Sequence, residues 1–214
     1  MTQIADRPPS NYAVPPLSNG DHLSLAEFER LWDLHPDIKK AELIDGVVFL
    51  EMSVSPIHSI AHAAVMLWLG LYWASRSKTV ELHDNVTLSL LGVHDLQPDS
   101  LLRLIEGASR WIANARIEGP PELVVEVSTS SASRDLGIKR RIYADAGVAE
   151  YVVWQLYENR LDWFVLESGE YVSLEPDTSG VIESRVFPGL RLSVTALLDG
   201  DIPALVAATT STQG

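Results

Sequence analysis

The nine residues PPELVVEVS, Pro120 to Ser128, constrain this chain more than any other stretch. Two prolines open a run of Leu123, Val124, Val125 and Val127, the continuous apolar kind of strand found where both sheet faces are covered. Glu126 interrupts that run. Strand propensities span only about 1 kcal/mol, whereas taking an ionised carboxylate out of water costs about several kcal/mol. Propensity therefore cannot place Glu126 there; a partner must. Alternation sets Glu122, Val124 and Glu126 on one face and Leu123, Val125 and Val127 on the other.

One partner is an arginine or lysine in a buried ion pair with a purely structural role. A functional alternative comes from two neighbouring features. In VHDLQPDSLLRLI, Asp99 follows Pro98 at the start of another strand-like run, and a neighbouring strand would bring it to Glu126. In SSASRDLGIKRRIYADAG, the helix that follows the Glu126 strand carries Asp135, Lys139 and Tyr143 on one face by i, i+4 spacing. Two carboxylates and a lysine converging at a strand end suit metal-assisted phosphodiester hydrolysis. Hard oxygens hold Mg²⁺ or Mn²⁺, the ion activates water, and an ammonium group steadies the nucleophile or transition state. Taken alone, Pro98-Asp99 also reads as a turn, and Glu42 as an exposed hairpin residue.

The rest of the chain is a mixture of helices and strands. Ser24 and Glu27 form a capping box for a helix from Leu25 to Leu34. AELIDGVVFLEMS turns at Asp45-Gly46, a dipeptide suited to a type I′ hairpin. A helix from His58 to Arg76 follows, then strands at Val80 to Leu82, Val86 to Leu90 and Ser100 to Ile105. A polar loop leads into the Glu126 strand, and AEYVVWQ, LDWFVLE, EYVSLE and VIESRVF supply further strands. This order implies an α+β or α/β fold, a mixed sheet with helices on its faces. One domain over 23–200 is expected, with a flexible arm over 1–22 and a tail over 201–214.

Composition narrows the function classes. With 16 basic and 29 acidic residues the formal charge is −13, which opposes passive nucleic-acid binding. No cysteine is present, excluding thiolate sites and disulfides and making the cytoplasm the expected compartment. The apolar run Ala63 to Ala74 is expected to be a core helix, with no membrane partner. His58 and His62 are four apart but lack the intervening glutamate of zinc hydrolases. Lys139, Arg140 and Arg141, with Arg134 nearby, form a basic cluster that is either a solvated helix face or a local grip on phosphates. No phosphate-binding glycine loop or nucleophile elbow occurs.

ELIDG at Glu42 to Gly46, SPIH at Ser55 to His58, Pro98-Asp99, PPELVVEVS and DLGIKRRIYADAGVAEYVV together resemble the Uma-two family of restriction-endonuclease-like proteins, as does FPGLRLSV at Phe187 to Val194. The resemblance runs from about Leu23 to Leu198. It implies the PD-(D/E)XK nuclease fold, with a mixed central sheet flanked by helices, here extended by N- and C-terminal hairpins. It implies Asp99 and Glu126 as metal-binding acids, Glu42 as the upstream glutamate, and Mg²⁺ or Mn²⁺ as cofactor. Ser128 stands where the generic motif places its lysine, and the family pattern moves that lysine to the next helix, at Lys139. A nucleic-acid substrate, DNA in the first instance, and a homodimer follow from the same resemblance. The alternative from a different class is a nuclease-fold binding or oligomerisation module without catalysis.

Overall fold

The computed structural model describes residues 15–50, 55–112 and 116–210. Helix α1 (Leu25–Asp33) starts on the expected capping box: the Ser24 hydroxyl accepts from the Glu27 N–H, and the Glu27 carboxylate accepts from the Ser24 N–H. Strands β1 (Ala41–Ile44) and β2 (Val47–Leu50) form the expected hairpin. Its two turn residues, Asp45 and Gly46, both have positive φ, 49° and 76°, as a type I′ turn requires. Helix α2 (Pro56–Ala74) is capped by Ser55 and has proline in its first turn, where the missing N–H costs nothing.

Next come β3 (Val80–Asp84), β4 (Leu88–Leu90), β5 (His94–Leu96), β6 (Ser100–Leu104), β7 (Arg110–Ile112), β8 (Arg116–Glu118) and β9 (Leu123–Ser128). A continuous helical crossover follows: α3 (Ala132–Arg134), a π turn over Asp135–Lys139, and α4 (Arg140–Ala146), which ends at left-handed Gly147. The chain closes with β10 (Glu150–Gln155), β11 (Arg160–Glu167), β12 (Glu170–Ser173), β13 (Val181–Glu183), β14 (Arg191–Ser193), α5 (Val194–Leu198) and α6 (Ile202–Thr210).

The central sheet runs β12-β11-β10-β9-β6-β3. It is mixed: β9 and β10 are parallel, joined by the helical crossover, and the remaining pairs are antiparallel. Leu123, Val125 and Val127 of β9 enter the core under α2, with Trp68, Leu69, Trp154 and Trp163. Val124 enters the opposite core, with Tyr143 of α4. The alternation read from the sequence thus sends Glu126 toward α4. That second core is closed by another six-stranded sheet, β2-β1-β5-β4-β8-β7, as well as by helix. Among the described residues α2 is the one helix long and apolar enough to cross a membrane, yet its buried residues, including Trp68 and Tyr72, lie against the central sheet.

Two expected boundaries shift. Residues 1–14 of the expected arm lie outside the described residues, but Leu17 is buried with Phe28, Ala41 and Leu43, so apolar burial ties the end of the arm to the domain. From Ile202 the expected tail is instead α6, whose Leu205 is fully buried in the main core. Only 211–214 of that tail fall outside the described residues.

A second buried glutamate fixes the C-terminal region. Glu150 of β10 accepts from the Trp163 indole (3.2 Å), the Ser184 hydroxyl (2.8 Å) and the Arg185 and Val186 N–H groups (2.6 and 3.2 Å). All four partners point donors at it, so Glu150→Gln would turn an amide N–H₂ against one of them. An unpaired buried donor costs about 1–3 kcal/mol, and urea unfolding of Glu150→Gln is expected to show a loss of that size.

Candidate active site

Glu126 sits fourth in β9, and its position is determined by the strand. Its Oε1 accepts from the Tyr143 hydroxyl at 2.9 Å and pairs with Lys139 Nζ at 2.6 Å. Neither contact uses Oε2, and Glu126 lines a cavity of about 450 Å³. Asp99, Lys139, Asp135, His58, Arg134 and Tyr157 line the same cavity. The strand partners bring Asp99 in: it precedes β6, which pairs antiparallel with β9, and its Oδ2 accepts the Val127 N–H at 2.7 Å. Lys40 Nζ reaches Asp99 Oδ1 at 3.3 Å, and His58 Nε2 lies 3.4 Å from Oδ2.

Glu42 comes from the second sheet. It is almost fully buried and shares β1 parity with Ile44, which faces the core beneath α4. Its Oε1 accepts from Lys139 Nζ and from the Gln97 N–H, both at 2.9 Å. The Gln97 side chain in turn accepts from the Ala41 N–H at 3.1 Å, tying β1 to the segment that presents Asp99. The structure therefore brings Asp99, Glu126, Lys139 and Glu42 into one cluster. Glu42 is not an exposed hairpin residue, and Glu126 does have the lysine partner that its burial demanded.

The electrostatics follow from a charge imbalance. Four carboxylates, Glu42, Asp99, Glu126 and Asp135, share the ammonium groups of Lys139 and Lys40. Burial, with Asp135, Asp99 and Glu42 nearby, raises the Glu126 carboxyl despite the opposing pull of Lys139. Lys139 loses water on burial, but the surrounding acids, Glu126 first, hold it well above its ordinary value. Burial alone would raise Glu42 as well; Lys139 and the Gln97 N–H keep it below the usual carboxylate range. For Asp99, burial is outweighed by the His58 hydrogen bond, Lys40 and the Val127 N–H, so its carboxyl stays ionised far into acid.

The Asp99 shift has a consequence for stability. A carboxyl whose folded-state pKa is depressed stabilises the fold above its unfolded value, 3.8, and loses that contribution as pH falls toward the folded value. Asp99→Asn is expected to lower stability at about pH 6 and to flatten the wild-type decline below about pH 4. Urea melts across that range check the sign.

The same carboxylates bear on a divalent cation. The cavity is lined by Asp99, Glu126 and Asp135; behind it, Glu42 Oε2 is a buried oxygen with no hydrogen-bond partner among the described residues. No three His, Asp or Glu side chains gather to enclose an ion among the described residues. Two carboxylates lining one cavity, Asp99 and Glu126, are a donor set of the kind that suits Mg²⁺ or Mn²⁺, which bind through one or two carboxylates and retain water.

Several other sequence features resolve differently. The basic cluster disperses: Arg140 stacks over Phe164 and donates to the Tyr171 carbonyl, Arg141 pairs with Asp45, and Lys139 is buried. Only Lys139 and Arg134 of that group line the cavity. His58 and His62 both approach Asp99, at different groups: His58 Nε2 lies 3.4 Å from its carboxylate, and His62 Nε2 lies 2.9 Å from its carbonyl oxygen and 3.1 Å from Asp84. Local sequence pattern alone gives no role to Lys40 or to the Tyr143 hydroxyl, both of which the structure places on the site acids. Lys40 lies just ahead of β1, two residues before Glu42, and its ammonium reaches Asp99.

No curated protein matches this chain. Among solved structures, a crystal structure titled as a putative nuclease belonging to DUF820 from Anabaena variabilis ATCC 29413 superposes with a TM-score of 0.66. It shares 15% sequence identity, and the match covers 83% of this chain and 98% of that one, so the likeness is one of fold: restriction-endonuclease-like, with a mixed sheet. The family model Uma2, described as "Putative restriction endonuclease", matches residues 25–195. That span holds the hairpin glutamate, the Pro98-Asp99 strand start, the Glu126 strand and the lysine-bearing crossover, and the chain belongs to the Uma2 family.

Proposed function

We propose that this protein is a divalent-metal-dependent endonuclease that hydrolyses phosphodiester bonds in DNA. The observation that carries the reading is the meeting of Asp99, Glu126 and Lys139 at one acid-rich cavity, with Glu42 joined to them through its ion pair with Lys139. Asp99 and Glu126 are the metal-binding acids: Asp99 is kept ionised by Lys40 and His58, and Glu126 lines the cavity with its Oε2 not used by Lys139 or Tyr143. Bound Mg²⁺ or Mn²⁺ would activate water and neutralise charge developing on the phosphate.

The protein's own groups do the rest. Lys139, with its ammonium fixed by Glu126 and Glu42, orients the attacking water and offsets negative charge on the phosphoryl oxygens. Glu42 holds Lys139 and keeps it protonated. Tyr143 donates to Glu126 Oε1, which restrains the carboxylate at the cavity wall. Arg134 and the hydroxyl residues Thr129 and Ser130 at the cavity wall supply donors for a phosphate that the chain as a whole, at −13, repels at long range. A homodimer would present two such cavities to the two strands of a duplex; a monomer in light scattering would remove that part of the reading.

Calorimetric titration with Mn²⁺ tests the metal assignment. Wild-type protein is expected to bind the ion, and Asp99→Asn and Glu126→Gln to weaken it at least about tenfold each, about 1.4 kcal/mol. Unchanged affinity in either variant would remove that residue from the metal site.

A further inference from the structure

We propose that Asp135, anchored by Ser128, is a positioning residue that holds the Lys139 ammonium at the cavity; the inference rests on the active-site reading of Lys139. A lysine carried on the strand itself would be placed by the strand. Here the strand position two beyond Glu126 is Ser128, and the ammonium arrives from the crossover on a long flexible stem. Something must tie that crossover to the strand.

The geometry points to one connection. Ser128, fully buried at the end of β9, donates its hydroxyl proton to Asp135 Oδ2 at 2.6 Å. Ser131 donates to the same oxygen at 2.6 Å. With Oδ2 occupied, Oδ1 is the oxygen that faces Lys139 Nζ, 3.8 Å away. The backbone is fixed as well: the Asp135 carbonyl accepts from the Tyr151 hydroxyl at 3.0 Å and from the Arg140 N–H. That last bond spans five residues and is the signature of the π turn, a wider turn common at functional sites.

Asp135 thus begins the turn that Lys139 ends, and Ser128 fixes where it begins. Asp135 stands at the outer limit of ion-pair distance from Lys139, while Glu126 and Glu42 are at 2.6 and 2.9 Å. Its role is therefore to direct the ammonium between those two acids rather than to be its main counter-charge. Ser128 occupies the place of a strand lysine and serves the same end indirectly.

The test uses full-length protein with ¹⁵N-labelled lysine and follows the Lys139 ammonium resonance, identified by its loss in Lys139→Met. Asp135→Asn and Ser128→Ala are both expected to shift or broaden it; Ser128→Ala leaves the Asp135 charge in place and separates positioning from charge. In parallel, kcat for Mn²⁺-supported plasmid nicking is expected to fall about 10–100-fold in Asp135→Asn, with KM little changed. In the Lys139→Met background, Asp135→Asn is expected to cost nothing further. A resonance unmoved by both substitutions, or a full additional loss of kcat in the Lys139→Met background, would overturn the proposal. Wild-type protein inert toward every nucleic acid would instead remove the nuclease reading, and the resonance alone would then decide whether Asp135 positions Lys139. Should Asp135→Asn not fold, Ser128→Ala carries the comparison.

Discussion

Lys139→Met is expected to lower the unfolding free energy by about 3–5 kcal/mol, the cost of removing one partner from a buried ion pair. Methionine matches the stem in length, so little packing is lost, and the effect isolates the charge. Glu126 and Glu42 are both almost fully buried, and each has its lysine contact at hydrogen-bond distance. Without the ammonium, Glu42 loses the counter-charge that keeps it ionised and the Glu126 carboxyl, already raised by burial, is raised further. Excess Mn²⁺ is expected to restore part of the loss, because a cation bound only by the folded state stabilises it by about 2.7 kcal/mol at a hundredfold excess over Kd. Urea melts with and without Mn²⁺ read both quantities. A loss below about 1 kcal/mol would place Lys139 in a solvated pair of the surface kind.

The site was legible in the sequence wherever a residue broke a strong local rule. Glu126 stood out because nothing apolar around it could satisfy a carboxylate, and the structure supplies Lys139 and Tyr143 as its partners. The i, i+4 face of Asp135, Lys139 and Tyr143 likewise survives, although the turn between the first two is π rather than α. Asp45-Gly46 marked its hairpin because only left-handed residues fit there.

Local pattern failed where long-range contacts decide. The polar loop before β9 holds β7 and β8, three residues each, too short to show alternation. β5 is equally short, and it is held by a buried ion pair between its Asp95 and Arg116 of β8, at 2.9 Å, with the Ser89 hydroxyl donating to the same carboxylate. No window of sequence contains both ends of that pair. Helix α6 escaped for a related reason: the burial of Leu205 is a property of the core it meets, and nothing adjacent in the chain announces it.

Uma2 membership and the fold likeness make a nuclease the natural reading of the cavity, but fold does not specify chemistry. Glu126 is where the two separate. As a structural partner of Lys139 it would tolerate an isosteric amide with some loss of stability and no effect on turnover per folded molecule. As a metal-binding acid it would not, because the amide lacks the charge that holds the ion in the cavity. Losing about 4 kcal/mol of transition-state stabilisation is about a thousandfold in rate, and Glu126→Gln is expected to fall at least that far.

The direct measurement is cleavage of supercoiled plasmid and single-stranded DNA by purified protein with Mg²⁺ or Mn²⁺, beside Glu126→Gln prepared identically and shown to be folded. Metal-dependent nicking by the wild type that disappears in Glu126→Gln is the expected result. Cleavage of equal rate by both proteins, or by neither on DNA or RNA, would contradict a catalytic Glu126 and leave it as the buried counter-charge of Lys139.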